Sequence, residues 1–336
     1  MTGSQAHYRA FELTWCSLDL AIPELPTCSE AALAGGGPRI AIEPEQPQGW
    51  PQLPPGPHDT TFLQMARGDL RLTVEGIGRF RITDGERIGW QRADAGVSDQ
   101  DIRTFLLGSA VGALLIQRGM LVLHGNALEK DGKAIVCLGH SGAGKSTLAY
   151  SLMQQGWRLL ADDLVAMNGE GMVLPGIPRI KLWHDAAKAF GLDPAALPPI
   201  REGMNKYLLM GEALQRAPQA AGPQAAALQA VYLIHQQRHG EQEEKEATIR
   251  RIQRQQAATL RLRNQAFRPR FVRGLGQEGA NFMALARLQQ RVPLATLPLP
   301  AGIGAMQRWL ADQDLLTAAA QAETGEEEPA LEPAAP

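Results

Sequence analysis

The sequence predicts an α/β fold that is preceded by a smaller, β-rich N-terminal domain. From Met120 onward, apolar runs typical of strands alternate with helical runs, which is the order found in α/β domains. Between one such strand and the next helix, Gly139–Ser146 match the glycine-rich pattern G-x-x-x-x-G-K-[ST]. Upstream of Gln91, short alternating segments such as DLRLTVEGIGRFRIT are separated by Gly and Pro clusters and indicate further strands.

The composition is that of a globular protein without a dominant charge. The chain has 336 residues, and its 33 basic and 35 acidic residues leave a formal net charge of −2. We therefore expect neither a nucleic acid nor a membrane as partner. The three cysteines, Cys16, Cys28 and Cys137, are too scattered for a disulfide framework or a zinc site. Because the start also lacks a signal-peptide pattern, we expect a cytoplasmic protein.

Changes in composition divide the chain into three segments. Residues 1–98 form the predicted β-rich domain, which a polar stretch separates from an apolar run that begins at Phe105. Gln117, Arg118 and Gly119 interrupt that run, so it predicts a helix followed by a strand rather than a membrane span. Residues 99–317 form the predicted α/β domain. Residues 318–336 carry five glutamates, three prolines and no basic residue, and this composition predicts a disordered acidic tail.

Local patterns in the α/β domain predict individual elements. The run STLAYSLMQQG is helical, and five apolar runs predict strands: MLVLHG, KAIVCLG, WRLLADD, LVAMN and IPRIKLW. In such domains, ligands bind beyond the carboxyl ends of the strands.

The glycine-rich pattern predicts a phosphate-binding loop. Its glycines allow the backbone N–H groups to turn inward around a phosphate, and the positive N-terminal end of the next helix adds to the attraction. Lys145 would bridge the β- and γ-phosphates of ATP, and the Ser146 hydroxyl is a hard oxygen ligand for Mg²⁺. The predicted nucleotide-binding residues are Gly139, Ser141, Gly142, Ala143, Gly144, Lys145, Ser146 and Thr147.

Two adjacent aspartates, Asp162 and Asp163, end the strand that follows the loop helix. One carboxylate at this place can hold Mg²⁺, and the other can accept a proton from an attacking hydroxyl. A second interpretation is that Asp163 only closes a turn. His124 ends the preceding strand, where it could contact phosphate or serve as a hydrogen-bonded structural histidine.

The segment HGNAL…CLGHSGAGKSTLAYSLMQQGWRLLADD resembles the catalytic domain of HPr kinase/phosphorylase, a bacterial serine kinase related in fold to phosphoenolpyruvate carboxykinase. The resemblance covers about forty residues. It implies a P-loop kinase domain of that type, with ATP and Mg²⁺ bound. It also implies that His124 lies beside the phosphates, that Asp162 is the proton acceptor and that Asp163 is a metal ligand.

Two other segments depart from that family. Its glutamate-containing signature E-I-R-G-L-G is absent, and PGIPRIKLW, with Arg179 and Lys181, stands in its place, which speaks against phosphorylase activity. GIPRIKLW and the N-terminal HYRAFELTWCSLDLAIPELP instead resemble divergent HPr-kinase-like proteins associated with ribosomally made peptides, including lasso peptides. That resemblance implies a precursor peptide as the acceptor.

Basic residues outside the loop suggest how an acidic acceptor would bind. Eight arginines fall between residues 250 and 273 with no acidic residue among them. They would dock an acidic peptide or a phosphate, or form a solvated face balanced by the preceding EQEEKE. Lys206 is a further candidate for phosphate contact.

The residues leave two classes of function open. One is a kinase that transfers the γ-phosphoryl group of ATP to a Ser or Thr hydroxyl of a peptide, a small protein or a small molecule. The other is a nucleotide-dependent switch with slow hydrolysis. Asp162 favours the kinase, because a hydroxyl nucleophile needs a base beside the γ-phosphate. Whether the chain forms a homo-oligomer stays open.

Overall fold

The computed structural model describes residues 5–28, 37–46, 50–201, 203–211, 214, 224–236, 247–253 and 255–323. Within them lie two large β-sheets and a separate two-stranded sheet, so the fold is mixed α/β. No helix in these ranges is long and apolar enough to cross a membrane.

The N-terminal part forms a seven-stranded sheet with the order β1-β2-β3-β7-β6-β5-β4. Alternate side chains of these strands are buried, as the alternating pattern of the sequence predicts. The strands are β1 (Gln5–Ala10), β2 (Leu13–Leu18), β3 (Arg39–Pro44), β4 (Leu63–Ala66), β5 (Asp69–Val74), β6 (Gly78–Thr83) and β7 (Arg87–Arg92).

The helical segment after this sheet packs on it. It consists of α1 (Asp99–Phe105), a π-helical turn (Leu106–Ala110) and α2 (Val111–Gln117). Ser98 caps α1 by accepting a hydrogen bond from the Asp101 N–H. The buried side chains of α1 and α2 lie in one hydrophobic core with those of the seven-stranded sheet. A helix therefore begins at the predicted domain boundary between residues 98 and 99, but the core continues across it.

The second sheet lies in the α/β part and has nine strands in the described residues. Its main order is β11-β9-β10-β16-β13-β12-β8; β18 pairs with β16, and β17 pairs with β18. These strands are β8 (Leu121–Leu123), β9 (Gly125–Lys130), β10 (Lys133–Leu138), β11 (Arg158–Asp162), β12 (Val165–Met167), β13 (Met172–Val173), β16 (Ala226–Gln236), β17 (Arg250–Arg251) and β18 (Leu294–Leu299). The five strands predicted from local patterns are confirmed, four of them in this sheet.

The fifth predicted strand, β14 (Arg179–Trp183), pairs with β15 (Lys206–Met210) in a separate two-stranded antiparallel sheet. We call it the β14–β15 hairpin, although two short helical segments lie between its strands. Helix α3 (Lys145–Gln154) follows the glycine-rich loop and packs on β9 and β14. Two short helical segments, α4 (His184–Ala189) and a 3₁₀ turn (Pro194–Ala196), follow β14.

The described C-terminal part adds the helices α5 (Gln255–Asn264), α6 (Pro269–Gly274), α7 (Glu278–Arg291), α8 (Ile303–Ala311) and α9 (Ala318–Gln321). Of these, α6 packs with Phe271 and Val272 in the core of the seven-stranded sheet. Helix α9 corrects the predicted tail, because Ala319 is fully buried and its N–H donates to the Tyr232 hydroxyl at 3.2 Å. The alanine-rich start of the segment can pack in this way, whereas residues 324–336, which hold most of its glutamates, lie outside the described residues.

Candidate active site

The glycine-rich loop joins β10 to α3, as predicted. Two of its glycines are required by the backbone. A Cβ atom at Gly139 would lie 3.0 Å from the Ile234 carbonyl oxygen on neighbouring β16, and Gly144 has a φ of 90°, a value that favours glycine. The first N–H groups of α3 have no intrahelical acceptor and point toward the loop. The loop therefore has the backbone donors that an anionic phosphate needs.

The other predicted loop residues differ in exposure. Ser141 and Gly142 are exposed, Ala143 is buried, and Ser146 and Thr147 are half-buried at the start of α3. His140, at a variable position of the pattern, is exposed.

Lys145 lies with its ammonium group inside the loop. The ammonium donates to the carbonyl oxygens of Gly139 at 2.7 Å and His140 at 2.9 Å. Burial lowers the pKa of Lys145, and the charges of Asp163 and Asp162 oppose that shift. No described carboxylate forms an ion pair with this ammonium. The loop carbonyls thus hold the Lys145 charge next to the backbone donors of the loop.

Asp162 ends β11 and is buried among hydrogen-bond donors. Its carboxylate accepts from the Asn126 side-chain amide, from the Lys181 backbone N–H at 3.1 Å and from the Ser146 hydroxyl at 3.5 Å. Burial and the charge of neighbouring Asp163 raise the pKa of Asp162 to about 7, against the lowering effects of Lys181 and Lys206. A carboxyl group with a pKa near neutrality is suited to accept a proton in a reaction at that pH.

Asp163 leaves the strand with a φ of 69°, so its side chain takes a different direction from that of Asp162. Its carboxylate forms an ion pair with the Lys181 ammonium. Burial alone would raise the pKa of Asp163, but the charge and hydrogen bond of Lys181, together with His124 and Arg179, lower it instead. Asp163 therefore stays ionised. The φ angle of Asp163 agrees with the interpretation that this residue closes a turn. Its side chain also forms the ion pair with Lys181.

His124 lies between β8 and β9, close to the two aspartates. Its backbone N–H donates to the Gln265 carbonyl at 2.8 Å, and its Nδ1 lies 3.2 Å from the Asp163 carbonyl oxygen. Burial, followed by the charge of Lys145, lowers the pKa of His124, while the charge of Asp163 opposes that shift. These contacts are those of a hydrogen-bonded structural histidine placed beside the candidate site.

Two side chains at this centre had no role in the sequence-based prediction. Lys181 contacts both aspartates, and the buried amide of Asn126 donates to Asp162. Asn126 is the Cα partner of Asp162 across the β9–β11 pairing. A weak signal for Asn126 was its place two residues after His124. The contacts of Lys181 depend on where the β14–β15 hairpin lies, and no local pattern specifies that position.

The arginine-rich segment does not form one face at this site. Arg250 and Arg251 lie on β17, Arg261 and Arg263 on α5, and the last three members at α6. Several are engaged structurally. The Arg268 guanidinium lies 5.4 Å from the centre of the Phe271 ring, Arg270 donates to the His58 carbonyl at 2.9 Å, and Arg263 pairs with Glu278 at 3.0 Å. Arg254 and the preceding EQEEKE lie outside the described residues.

The oxygen atoms at the site suit Mg²⁺ better than a transition metal. Ser146 and the two aspartates offer a hydroxyl and carboxylates, which are hard ligands. No group of three or more His, Cys, Asp or Glu that could hold a metal occurs in the described part of the chain. Mg²⁺ usually binds one or two carboxylates and completes its shell with water and substrate phosphates, so this small donor set fits it. The Ser146 hydroxyl lies 3.5 Å from the carboxylate of Asp162. The carboxylate of Asp163 instead forms an ion pair with Lys181.

Comparison with known proteins gives short matches. No protein-family model matches the chain. It is 36% identical to an HPr kinase/phosphorylase of Treponema pallidum over 75 residues, which are 21% of this chain and 24% of that protein. An HPr kinase/phosphorylase of Prosthecochloris aestuarii is 42% identical over 48 residues, 14% of each chain. The chain thus spans about a quarter or less of the length of these curated relatives.

Among solved structures, the Hpr(Ser) kinase/phosphatase from Coxiella burnetii aligns with 58% of this chain and 96% of its own, at 10% identity and a TM-score of 0.28. Over the short segments matched in sequence, the chain is similar to HPr kinase/phosphorylases.

Proposed function

We propose that the protein is an ATP- and Mg²⁺-dependent kinase that phosphorylates a Ser or Thr hydroxyl of a peptide or small protein. The observation that carries this proposal is the position of Asp162. Its buried carboxyl group, with a pKa raised to about 7 by burial, lies 3.5 Å from the Ser146 hydroxyl of the glycine-rich loop. In the proposed complex, Asp162 would accept the proton of a hydroxyl that approaches the γ-phosphate held by the loop.

In the proposed reaction, the acceptor oxygen forms a bond to the γ-phosphorus of ATP, and the bond from that phosphorus to the β,γ-bridging oxygen breaks. The hydroxyl proton passes to Asp162, and ADP is the second product. The loop backbone and Lys145 would hold the phosphates. When bound, Mg²⁺ would neutralise developing phosphate charge, with Ser146 and Asp163 as its proposed ligands.

The kind of acceptor is proposed from similarity. The matched relatives are named for HPr, and the N-terminal and GIPRIKLW segments resemble kinases associated with ribosomally made peptides, so a lasso-type precursor peptide is the acceptor that we favour. A cytoplasmic location suits this function because ATP is available there. The three cysteines are free, which is consistent with a reducing compartment.

The test is phosphoryl transfer to pools of Ser- and Thr-centred peptides with γ-labelled ATP, measured beside ATP hydrolysis in the same samples. We expect label in peptide, and none with the Asp162→Asn variant. Equal ATP hydrolysis with and without peptide, and no labelled product, would instead support a slow nucleotide switch. Labelling that occurs only with small hydroxyl compounds would support a small-molecule kinase.

A further inference from the structure

The β14–β15 hairpin presents large exposed apolar side chains next to the candidate site. Trp183 is 54% exposed and Met204, which precedes β15, is 42% exposed. The other face of the hairpin is anchored in a hydrophobic core through Ile180, Leu182 and Leu209. Large exposed apolar side chains on a firmly packed element are a feature of binding surfaces.

The register of the hairpin places this surface beside the aspartates. Lys181 and Trp183 lie two residues apart on β14 and so point to the same face, with Cα atoms roughly 7 Å apart. Lys181 contacts Asp163, and Lys206 is the Cα partner of Trp183 across the hairpin. The exposed indole of Trp183 is therefore the next side chain on the same face of β14 as Lys181, the residue that contacts both carboxylates.

Lys206 adds a positive charge to the same surface. Its ammonium lies 5.3 Å from the centre of the Trp183 ring, which is a cation–π distance. Among the described residues, no carboxylate forms an ion pair with Lys206. The ammonium contacts the ring, and the indole stays more than half exposed. A segment bound here would meet an aromatic surface and a cation together, which suits an apolar residue next to a carboxylate.

We propose that Trp183, Lys206 and Met204 form the acceptor subsite, which binds a peptide segment with a large apolar residue and a carboxylate close to the hydroxyl to be phosphorylated. This inference rests on the proposed kinase function. It assigns the acceptor to the hairpin rather than to the arginine-rich segment, several of whose side chains have structural contacts.

The experiment measures labelling of Ser-centred peptide libraries in which one flanking position at a time is fixed. The wild-type protein is expected to select large apolar residues at one flank and Asp or Glu at another. Trp183→Ala should reduce the apolar selection, and Lys206→Met the acidic selection, by about tenfold each. The matched controls are Phe62→Ala, an exposed aromatic in the turn just before β4, and Lys188→Met on α4, and both should keep the wild-type selection.

The affinity for MgATP, measured by titration calorimetry on the same variants, separates the competing outcomes. Unchanged affinity with lost selection supports the acceptor subsite. Affinity that falls by the same factor as labelling would assign Trp183 and Lys206 to the nucleotide and overturn the inference. Labelling with flank preferences that neither variant alters would overturn it too, while leaving the kinase proposal intact. If the wild-type protein labels no peptide, the proposed function fails, and this inference fails with it.

Discussion

The ammonium group of Lys181 is ion-paired with the carboxylate of Asp163. The backbone N–H of the same lysine donates to Asp162 at 3.1 Å, so one residue holds two adjacent carboxylates in different ways. The positive charge of the Lys181 ammonium stabilises the ionised form of Asp163. The buried carboxylate of Asp162 instead accepts hydrogen bonds from neutral groups, the Asn126 amide, the Ser146 hydroxyl and the Lys181 backbone N–H. This asymmetry gives the two aspartates different chemistry.

Asp162→Asn is expected to abolish phosphoryl transfer while MgATP still binds. An amide keeps the size of the carboxylate but cannot accept a proton, and loss of a general base typically lowers a rate by ~10²–10⁴. Nucleotide titration and phosphopeptide mass spectrometry would measure the two effects separately. Transfer by this variant at the wild-type rate would show that Asp162 is not the base.

Asp163→Asn is expected to weaken Mg²⁺-dependent ATP binding before it affects the transfer step. The change removes a negative charge and frees the Lys181 ammonium, so less negative charge faces the metal. Titration with ATP in the presence and absence of Mg²⁺ measures this effect. Because the Ser146 hydroxyl lies nearer to Asp162, a larger loss of metal-dependent affinity in Asp162→Asn would exchange the two assignments.

Lys145→Ala is expected to remove ATP binding or transfer with little change in the fold. The Lys145 ammonium donates its two hydrogen bonds to carbonyl oxygens of the loop and does not pack in the hydrophobic core. The midpoint of thermal unfolding should therefore stay close to that of the wild-type protein. Calorimetric titration and a thermal melt test both parts. Lys188→Ala on α4 is the matched control and should bind ATP normally. Wild-type affinity and rate in Lys145→Ala would contradict the phosphate-loop assignment.

Two C-terminal truncations should behave differently. Removal of residues 324–336 is expected to leave the thermal midpoint and the activity unchanged, because an acidic, proline-containing segment contributes little burial. Removal from Ala318 onward also deletes α9, with buried Ala319 and its bond to Tyr232, and should cost about 1–3 kcal/mol. Thermal melts compare the two. A drop in midpoint of several degrees from the shorter truncation would show that residues 324–336 dock on the protein.

Gly112→Ala and Gly108→Ala form a matched pair that tests the packing of the helical segment against Phe267, which precedes α6. A Cβ atom at Gly112 would lie 2.3 Å from the Phe267 ring, whereas nothing lies within 4 Å of one at Gly108. Overpacking should destabilise Gly112→Ala by about 1–3 kcal/mol. Gly108→Ala should be neutral or stabilising by up to about 1 kcal/mol. Chemical denaturation measures both, and equal stability of the two variants would contradict the described contact.

The sequence by itself determined the features that depend on near neighbours. The strand before the loop, the loop glycines, the helix that starts at Lys145 and the strand that ends at Asp162 all lie where local patterns predicted them. The reason is that alternation, apolar runs and glycine dihedrals act over a few residues. The same patterns predicted the β-rich N-terminal part, although not that its core would continue into α1 and α2.

Only the tertiary structure decided which distant residues meet. Lys181 contacts Asp163 across eighteen positions, Asn126 contacts Asp162 across thirty-six, and the arginines of one short segment separate onto a strand and two helices. Sheet register and the packing of the β14–β15 hairpin set these contacts, and both depend on side chains far apart in the chain. Burial also explains why Ala318–Gln321 form a helix. The composition of this segment predicts disorder, but Ala319 packs against the second sheet and stabilises the helix.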